Sequence, residues 1–302
     1  MRIAVTGATG FIGRHVVAYL RSRGDDVIEV GRPLQRAAIT KAIAGAGTVI
    51  HLAGVVSTSR DEEYMAVNVD ATAAVAEAAG ERGARLVHIS SLAAAGPAGP
   101  QAPRSETDPP APMTAYGRSK LEGERAVAAV PGLWWTVLRP GVVYGPGDRA
   151  LLPLFVLASR RVLPDIGRAS AAYTFVFVSD LVRVIAAAVD HGTSGDVLFV
   201  GHPAPVTTRA VLEGVRRAVG RRAMIVSVPM SVLRLVALVG DAAGALRGKP
   251  LPMNRRRYAE LAADGFVCRV DRLRDRLGIE ATVGLDEGLA ETAAWYRREG
   301  WL

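Results

Sequence analysis

The run Thr6-Gly7-Ala8-Thr9-Gly10-Phe11-Ile12-Gly13 follows directly on the apolar segment Ile3-Ala4-Val5 and leads into Arg14 to Arg23, which reads as a helix. Glycines three apart at such a point tighten a strand-to-helix turn and let helix and strand pack closely. The alternation then repeats. Val27 to Val30, Thr48 to Ala53, Leu86 to Ser90 and a segment opening at Thr136 to Leu138 read as strands. Arg36 to Ala44, Asn68 to Glu81 and Thr114 to Val130 read as the intervening helices. Continuous apolar strands separated by helices predict an α/β fold, a doubly wound parallel sheet covered on both faces. Half of the 302 residues are hydrophobic, which suffices for such a core and excludes a disordered chain. Gly96 to Pro112, rich in Pro, Gly and Ala, reads as a flexible loop beside the sheet. Beyond Pro146 the rhythm loosens into helices, including Ser231 to Leu246 and Leu285 to Arg298, with short strands at Tyr173 to Val178 and Val197 to Val200. This predicts a sheet domain from residues 1–147 with 174–201, and a smaller, mostly helical lobe from 148–173 with 202–302.

A glycine turn at the start of a first helix lets backbone approach a pyrophosphate, which then rests on helix N–H groups at the positive end of the helix dipole. An Asp or Glu at the end of the second strand would bind the adenosine ribose of NAD. Gly31 and Arg32 stand there instead, and Arg14 lies just past the glycine turn. A guanidinium beside a small residue suits a 2′-phosphate, so NADP is expected, with NAD as the alternative.

Lysine is scarce: Lys41, Lys120 and Lys249 are all there are. One of them closes Tyr116-Gly117-Arg118-Ser119-Lys120, where tyrosine and lysine four apart share a helix face. Seven tyrosines and three lysines would give that spacing about 0.07 times by chance, which makes it more informative than the glycines. A phenol titrating near pH 10 is a weak proton donor or acceptor at neutrality, and a neighbouring ammonium is expected to lower its pKa. Ser90-Ser91 ends a strand at the sheet edge where ligands bind in open α/β folds, so a hydroxyl there is placed to hydrogen-bond a substrate oxygen.

Taken together, these motifs resemble the extended short-chain dehydrogenase/reductases, the NAD-dependent epimerase/dehydratase family, over nearly the whole chain. TGATGFIG resembles the family's cofactor loop, HLAG at His51 to Gly54 its adenosine-flanking strand, and NVDAT at Asn68 its NVxGT helix start. SSLAAAG, YGRSK, LRPGVVYGPGD and FVFVSDL resemble SSxxVYG, YxxxK, RPxNVYGP and VxVDDL. The resemblance implies a Rossmann domain with a substrate lobe and a catalytic set of Ser91, Tyr116 and Lys120. It implies a cofactor held by Gly7, Thr9, Gly10, Phe11, Ile12, Gly13, Arg14, Arg32, Leu52, Ala53, Gly54, Asn68, Ser90, Tyr116, Lys120, Pro140, Val142 and Val143. It also implies a homodimer through exposed helices.

Departures narrow the substrate. Val142 stands where nucleotide-sugar members carry asparagine, Tyr173 where many carry a diphosphate-binding arginine, and Ala95 where SSxxVYG has tyrosine. Polar contacts to a sugar nucleotide are thereby lost. Only 16 residues separate Arg32 from Val49, so the family's usual third strand is expected to be short or missing. The expectation is an oxidoreductase acting on an apolar carbonyl or alcohol, either a ketone reductase or an alcohol dehydrogenase. The alternatives are a nucleotide-sugar epimerase or dehydratase retaining NAD, and a cofactor-binding subunit without activity. The net charge of +8 comes from scattered arginines, with one dense run at Arg255-Arg256-Arg257, and gives no nucleic-acid signature. One cysteine, Cys268, excludes an intrachain disulfide, and the absence of paired histidines predicts no metal site. Arg234 and Asp241 interrupt the most apolar late segment, so no spanning helix and a cytoplasmic location are expected.

Overall fold

The computed structural model describes residues 1–58, 60–247, 258, 259 and 261–302; the Arg255-Arg256-Arg257 run lies outside the described residues. The chain begins with β1 (Arg2–Thr6), α1 (Phe11–Ser22), β2 (Asp26–Val30), α2 (Arg36–Ala42) and β3 (Thr48–His51). There follow α3 (Asp61–Met65), a π-helical turn (Ala66–Asp70), α4 (Ala71–Glu81), β4 (Arg85–Ile89), a 3-10 turn (Leu92–Ala94), α5 (Ala115–Ala128) and β5 (Trp135–Pro140). Next come β6 (Val142–Tyr144), α6 (Leu152–Ser159), β7 (Val162–Asp165), β8 (Ala172–Tyr173), β9 (Phe175–Phe177), α7 (Val178–His191) and β10 (Asp196–Val200). The last elements are β11 (Val206–Thr207), α8 (Thr208–Val219), β12 (Met224–Ser227), α9 (Met230–Arg247), β13 (Gly265–Phe266), α10 (Asp271–Leu277) and α11 (Leu285–Arg298).

Six strands form one parallel sheet in the order β10-β5-β4-β3-β1-β2. Strand side chains alternate between faces. Ile3, Val5, Ile50 and Val87 accordingly join α1 and α7 in one core, while Ala4, Val49 and Leu86 join α2 and α4 in the other. The alanines of α4 let that helix lie close on the sheet, with Ala76, Ala78 and Ala79 fully buried. β2 is the sheet edge, in keeping with the short span before Val49. At the opposite edge the Glu106 carboxylate accepts the Phe199 N–H at 3.0 Å and so blunts an otherwise open strand.

A further core surrounds Tyr144, Phe155, Leu212, Leu289 and Tyr296. The parallel pair β6–β9 is the seam: Phe175 and Phe177 face this core, and Val176 between them faces the sheet. Two sequence expectations are revised here. Gly96 to Pro112 is not a free loop, because Ala98 and Arg104 exchange backbone hydrogen bonds with Gly265, Val267 and Arg269. Residues 271–281, grouped by sequence with the second lobe, pack on the sheet through Leu273, Leu277 and Ala281. Arg272 and Arg276 hold them there by pairing with Asp196 at the start of β10.

Candidate active site

The glycine turn is shaped by contact with the segment after β3. Gly7 has φ +70°, and a Cβ there would lie 2.7 Å from the Ala53 nitrogen. A Cβ on Gly13 would lie 2.1 Å from the Gly7 carbonyl oxygen. Thr9 and Gly10 are exposed at the turn, and α1 starts without a side-chain cap or an acidic residue in its first turn. Its leading N–H groups and the positive end of its dipole are thus left for an anion. These features fit a dinucleotide diphosphate.

A buried hydrogen-bond chain sets the floor of this cradle. The Ala53 N–H donates to Thr6 Oγ1, which pairs with His51 Nδ1 at 2.7 Å. His51 Nε2 pairs with Thr72 Oγ1 at 3.0 Å, and Thr72 donates to the Asn68 carbonyl. Burial, reinforced by the Lys120 charge, brings the His51 pKa down to about 3, so the ring is neutral. With Thr72 already donating to Asn68, Nε2 carries the His51 proton and Nδ1 accepts from Thr6. Asn68 is fully buried at the π-helical turn. Its amide donates to Val55 O and Ser119 Oγ and accepts from Val55 N. It therefore shapes the 52–55 segment from below instead of opening toward a ligand. Leu52 and Ile12 lie half-buried against the sheet core.

The reactive side chains converge from two elements. Ser91 lies just past β4 and caps the 3-10 turn by accepting from Ala93 N. Thr114 caps α5 through Gly117 N at 2.9 Å. A Cβ on Gly117 would lie 2.4 Å from Ala93 O, so only glycine lets α5 approach that turn. The approach places Tyr116 in hydrogen-bond contact with Ser91. Tyr64 of α3 lies beside Tyr116, ring centroids 6.1 Å apart. Lys120, buried one helical turn on, donates to the Ile89 carbonyl at 2.8 Å. A Cβ on Gly54 would come within 3.8 Å of its Nζ, which joins this group to the cradle.

Burial raises the Tyr116 pKa, against the lowering effect of the Ser91 hydrogen bond and with a further rise from Tyr64. The sequence expectation of a lowered phenol is thus reversed in this structure, because desolvation outweighs the Ser91 hydrogen bond. Lys120 itself is brought down to about 8 by burial, with Glu124 opposing.

Sequence reasoning missed the pair beneath Lys120. Glu124 takes a bidentate grip from Arg139, at 2.9 and 2.6 Å, and also accepts from Ser90 Oγ. All three side chains are buried, and the Arg139 guanidinium lies 5.8 Å from the Phe199 ring centroid. Ser90, expected at the cofactor, has its hydroxyl committed to this pair. The available signal was Glu124 one turn after Lys120, on the same helix face.

Other expected residues are more dispersed. Arg32 is exposed beyond the end of β2. Its charge reaches Glu63, whose pKa is held low first by a hydrogen bond from Thr58 and then by Arg60 and Arg32. The Arg14 guanidinium and the Phe11 ring lie beside Gly147 and Trp295, on the seam with the second core. Pro140 is buried at the end of β5, whereas Val142 and Val143 are half-buried and face the second core and the sheet core.

Comparison with known proteins places this geometry. The profile of the NAD dependent epimerase/dehydratase family matches residues 3–201. A ceramide reductase of Caulobacter vibrioides is 30% identical over 99% of this chain and 96% of its own length. A 4-hydroxy-2-methyl-3-oxo-4-farnesyl-3,4-dihydroquinoline-1-oxide ketoreductase of Stigmatella aurantiaca is 28% identical over 80% of each chain. Among solved structures, MoeE5 in complex with UDP-glucuronic acid and NAD superimposes with a TM-score of 0.79 at 27% identity, covering 99% of this chain and 100% of that one.

Proposed function

The chain belongs to the NAD dependent epimerase/dehydratase family, and on that premise we propose that it is a nicotinamide-dependent ketone reductase or alcohol dehydrogenase acting on an apolar small molecule. The observation that carries this reading is the meeting of Ser91, Tyr116 and Lys120 beside the glycine cradle. An apolar substrate is supported by Ala95 and Val142 at positions where a sugar nucleotide would want polar side chains. It is also supported by relatives whose names carry ceramide and a farnesyl group.

A nicotinamide cofactor, when bound, would supply hydride to a carbonyl carbon or, in reverse, accept it. The protein's part is to handle charge and proton on the oxygen. Tyr116, its pKa raised by burial, stays protonated through the neutral range and donates its phenolic proton to that oxygen. Ser91 hydrogen-bonds the same oxygen as negative charge develops on it. Lys120 is mostly protonated at neutrality and stabilises the phenolate that the transfer leaves behind. Gly7, Gly10 and Gly13, with the open N–H groups of α1, would hold the diphosphate, and Ala53 and Gly54 would border the adenosine side. Arg32, exposed where β2 ends without a carboxylate, favours the 2′-phosphate of NADP.

A second reading rests on the likeness to MoeE5, whose complex contains UDP-glucuronic acid and NAD: a sugar-nucleotide enzyme that returns the hydride it takes. One experiment separates the two. Dinucleotide consumption is followed with a panel of apolar ketones, using NADPH and NADH, in wild type and Tyr116→Phe. Net NADPH turnover is expected, and Tyr116→Phe should lower kcat by about 10²–10⁴-fold with dinucleotide binding retained. Tightly held NAD and no net turnover would favour the second reading. An unchanged kcat in Tyr116→Phe would remove the role given to that residue.

A further inference from the structure

Helix α9 breaks the rule that a surface helix is polar on its solvent side. Among its described side chains, Leu233, Ala237 and Gly240 form the narrow buried stripe against the protein. At 100° per residue, Leu238, Leu235, Val239, Val232 and Val236 occupy an arc of about 160° opposite that stripe. All five are exposed, Leu235 by 62% and Val239 by 60%. The strand leading into the helix continues the pattern: on β12, Met224 is 68% exposed and Val226 45%. Met224 lies in register with Val162 of β7, which is also exposed.

The charge at the head of the β7–β12 ribbon has one sign; at its far end Asp165 of β7 is paired with Arg209, and Asp241 lies half-buried on α9. Arg160 and Arg161 directly precede β7, and Arg221 and Arg222 precede β12 with Ala223 between. The Met224 N–H donates to the Arg161 carbonyl at 2.9 Å, so the two arginine pairs stand side by side at the head of the β7–β12 ribbon. Arg234 borders the apolar arc on α9. All five arginines are exposed. A second copy docked through the same face would set these arginines against themselves, because a two-fold interface repeats one patch on both sides. Anionic lipid headgroups complement them, and the apolar arc suits the acyl boundary just below.

We propose that α9 and the β7–β12 ribbon form a surface that seats the protein on an anionic phospholipid bilayer, lying on it and not spanning it. None of the described helices is long and apolar enough to cross a membrane, which agrees with an interfacial mode. The inference is independent of the reaction proposed above, since it uses none of the residues placed in that site.

The test is flotation of the full chain with vesicles of phosphatidylcholine alone and of equimolar phosphatidylcholine and phosphatidylglycerol. Binding to the anionic vesicles is expected, weakened by added salt. The double variant Leu235→Ser with Val239→Ser should lower partitioning by about tenfold for each residue. The double variant Arg221→Gln with Arg222→Gln should lower it by about fivefold for each arginine on anionic vesicles, with no change on neutral ones. Circular dichroism confirms that each variant is folded, and the arginine pair gives a second readout should the helix variant fail. Absence of binding to either vesicle would overturn the proposal. So would a wild-type oligomer that Leu235→Ser with Val239→Ser converts to monomer without any vesicle binding, because the face would then cover a second copy.

Discussion

Lys120 is a charge kept where charge is disfavoured, and its surroundings explain why it survives there. The Ile89 carbonyl accepts a hydrogen bond from its ammonium, and Glu124 one turn away opposes the effect of burial. Glu124 is in turn fixed by Arg139 and Ser90, so the lysine stands on a buried pair whose own hydrogen bonds are largely satisfied. The folded-state pKa of Lys120 is about 8 against an ordinary 10.5. Between those values the unfolded chain binds more protons than the folded one, so stability rises with pH across that window. The penalty amounts to roughly 3 kcal/mol when fully developed below the window. Urea unfolding of wild type and Lys120→Met should show this directly. The midpoint of wild type is expected to gain on that of the variant from about pH 7 to about pH 10. A difference independent of pH would mean that Lys120 is not desolvated as described.

Among the elements, α5 and the 3-10 turn after β4 decide whether the site exists, and a single missing side chain joins them. A Cβ at Gly117 would sit 2.4 Å from backbone, where no rotamer change relieves it. Gly117→Ala should therefore push α5 off the turn at a cost of about 1–3 kcal/mol and separate Tyr116 from Ser91. The expected result is a folded protein by circular dichroism with kcat reduced at least about tenfold. Unchanged kcat would show that the helix relaxes without moving Tyr116. Much of this was readable beforehand. The glycine turn, the Tyr116 and Lys120 spacing and Ser91 at a strand end all lie in local sequence, where strand and helix periods are strong. The Glu124–Arg139 pair was not, because its partners meet only when α5 lies across β5. The environment of Asn68 was hidden for a similar reason: its amide bonds reach residues 13 and 51 positions away. Gly96 to Pro112 was misjudged as flexible because its anchors, Gly265 to Arg269, come more than 150 residues later.

The path of the chain ties the sheet with its two cores to the second core, the one around Tyr144 and Tyr296, as one cooperative body. It leaves the sheet after β5, passes through the β6–β9 seam on the way out and back, rejoins the sheet with α7 and β10, leaves again through α8, returns a second time with α10, and ends in α11 on the core around Tyr144 and Tyr296. No single cut separates the cores. The segment 145–148 adds a latch: His15 of α1 pairs with the Pro146 carbonyl at 2.7 Å, and Tyr296 of α11 donates to the Asp148 carbonyl at 2.6 Å. Four tryptophans report on this arrangement in two pairs. Trp134 and Trp135 stand at the start of β5, where Arg85 covers the Trp134 ring and Trp135 packs on the sheet core. Trp295 and Trp301 pack edge to face, 4.8 Å between centroids, in the second core. Replacing one pair with phenylalanine leaves fluorescence from the other core alone. Each variant should then show a fluorescence transition in urea that coincides with its own far-ultraviolet dichroism, whichever pair remains. If the Trp295 and Trp301 signal moved at lower urea than the dichroism, the second core would melt first. The repeated crossings of the chain and the latch at 145–148 would then be too weak to couple the two cores.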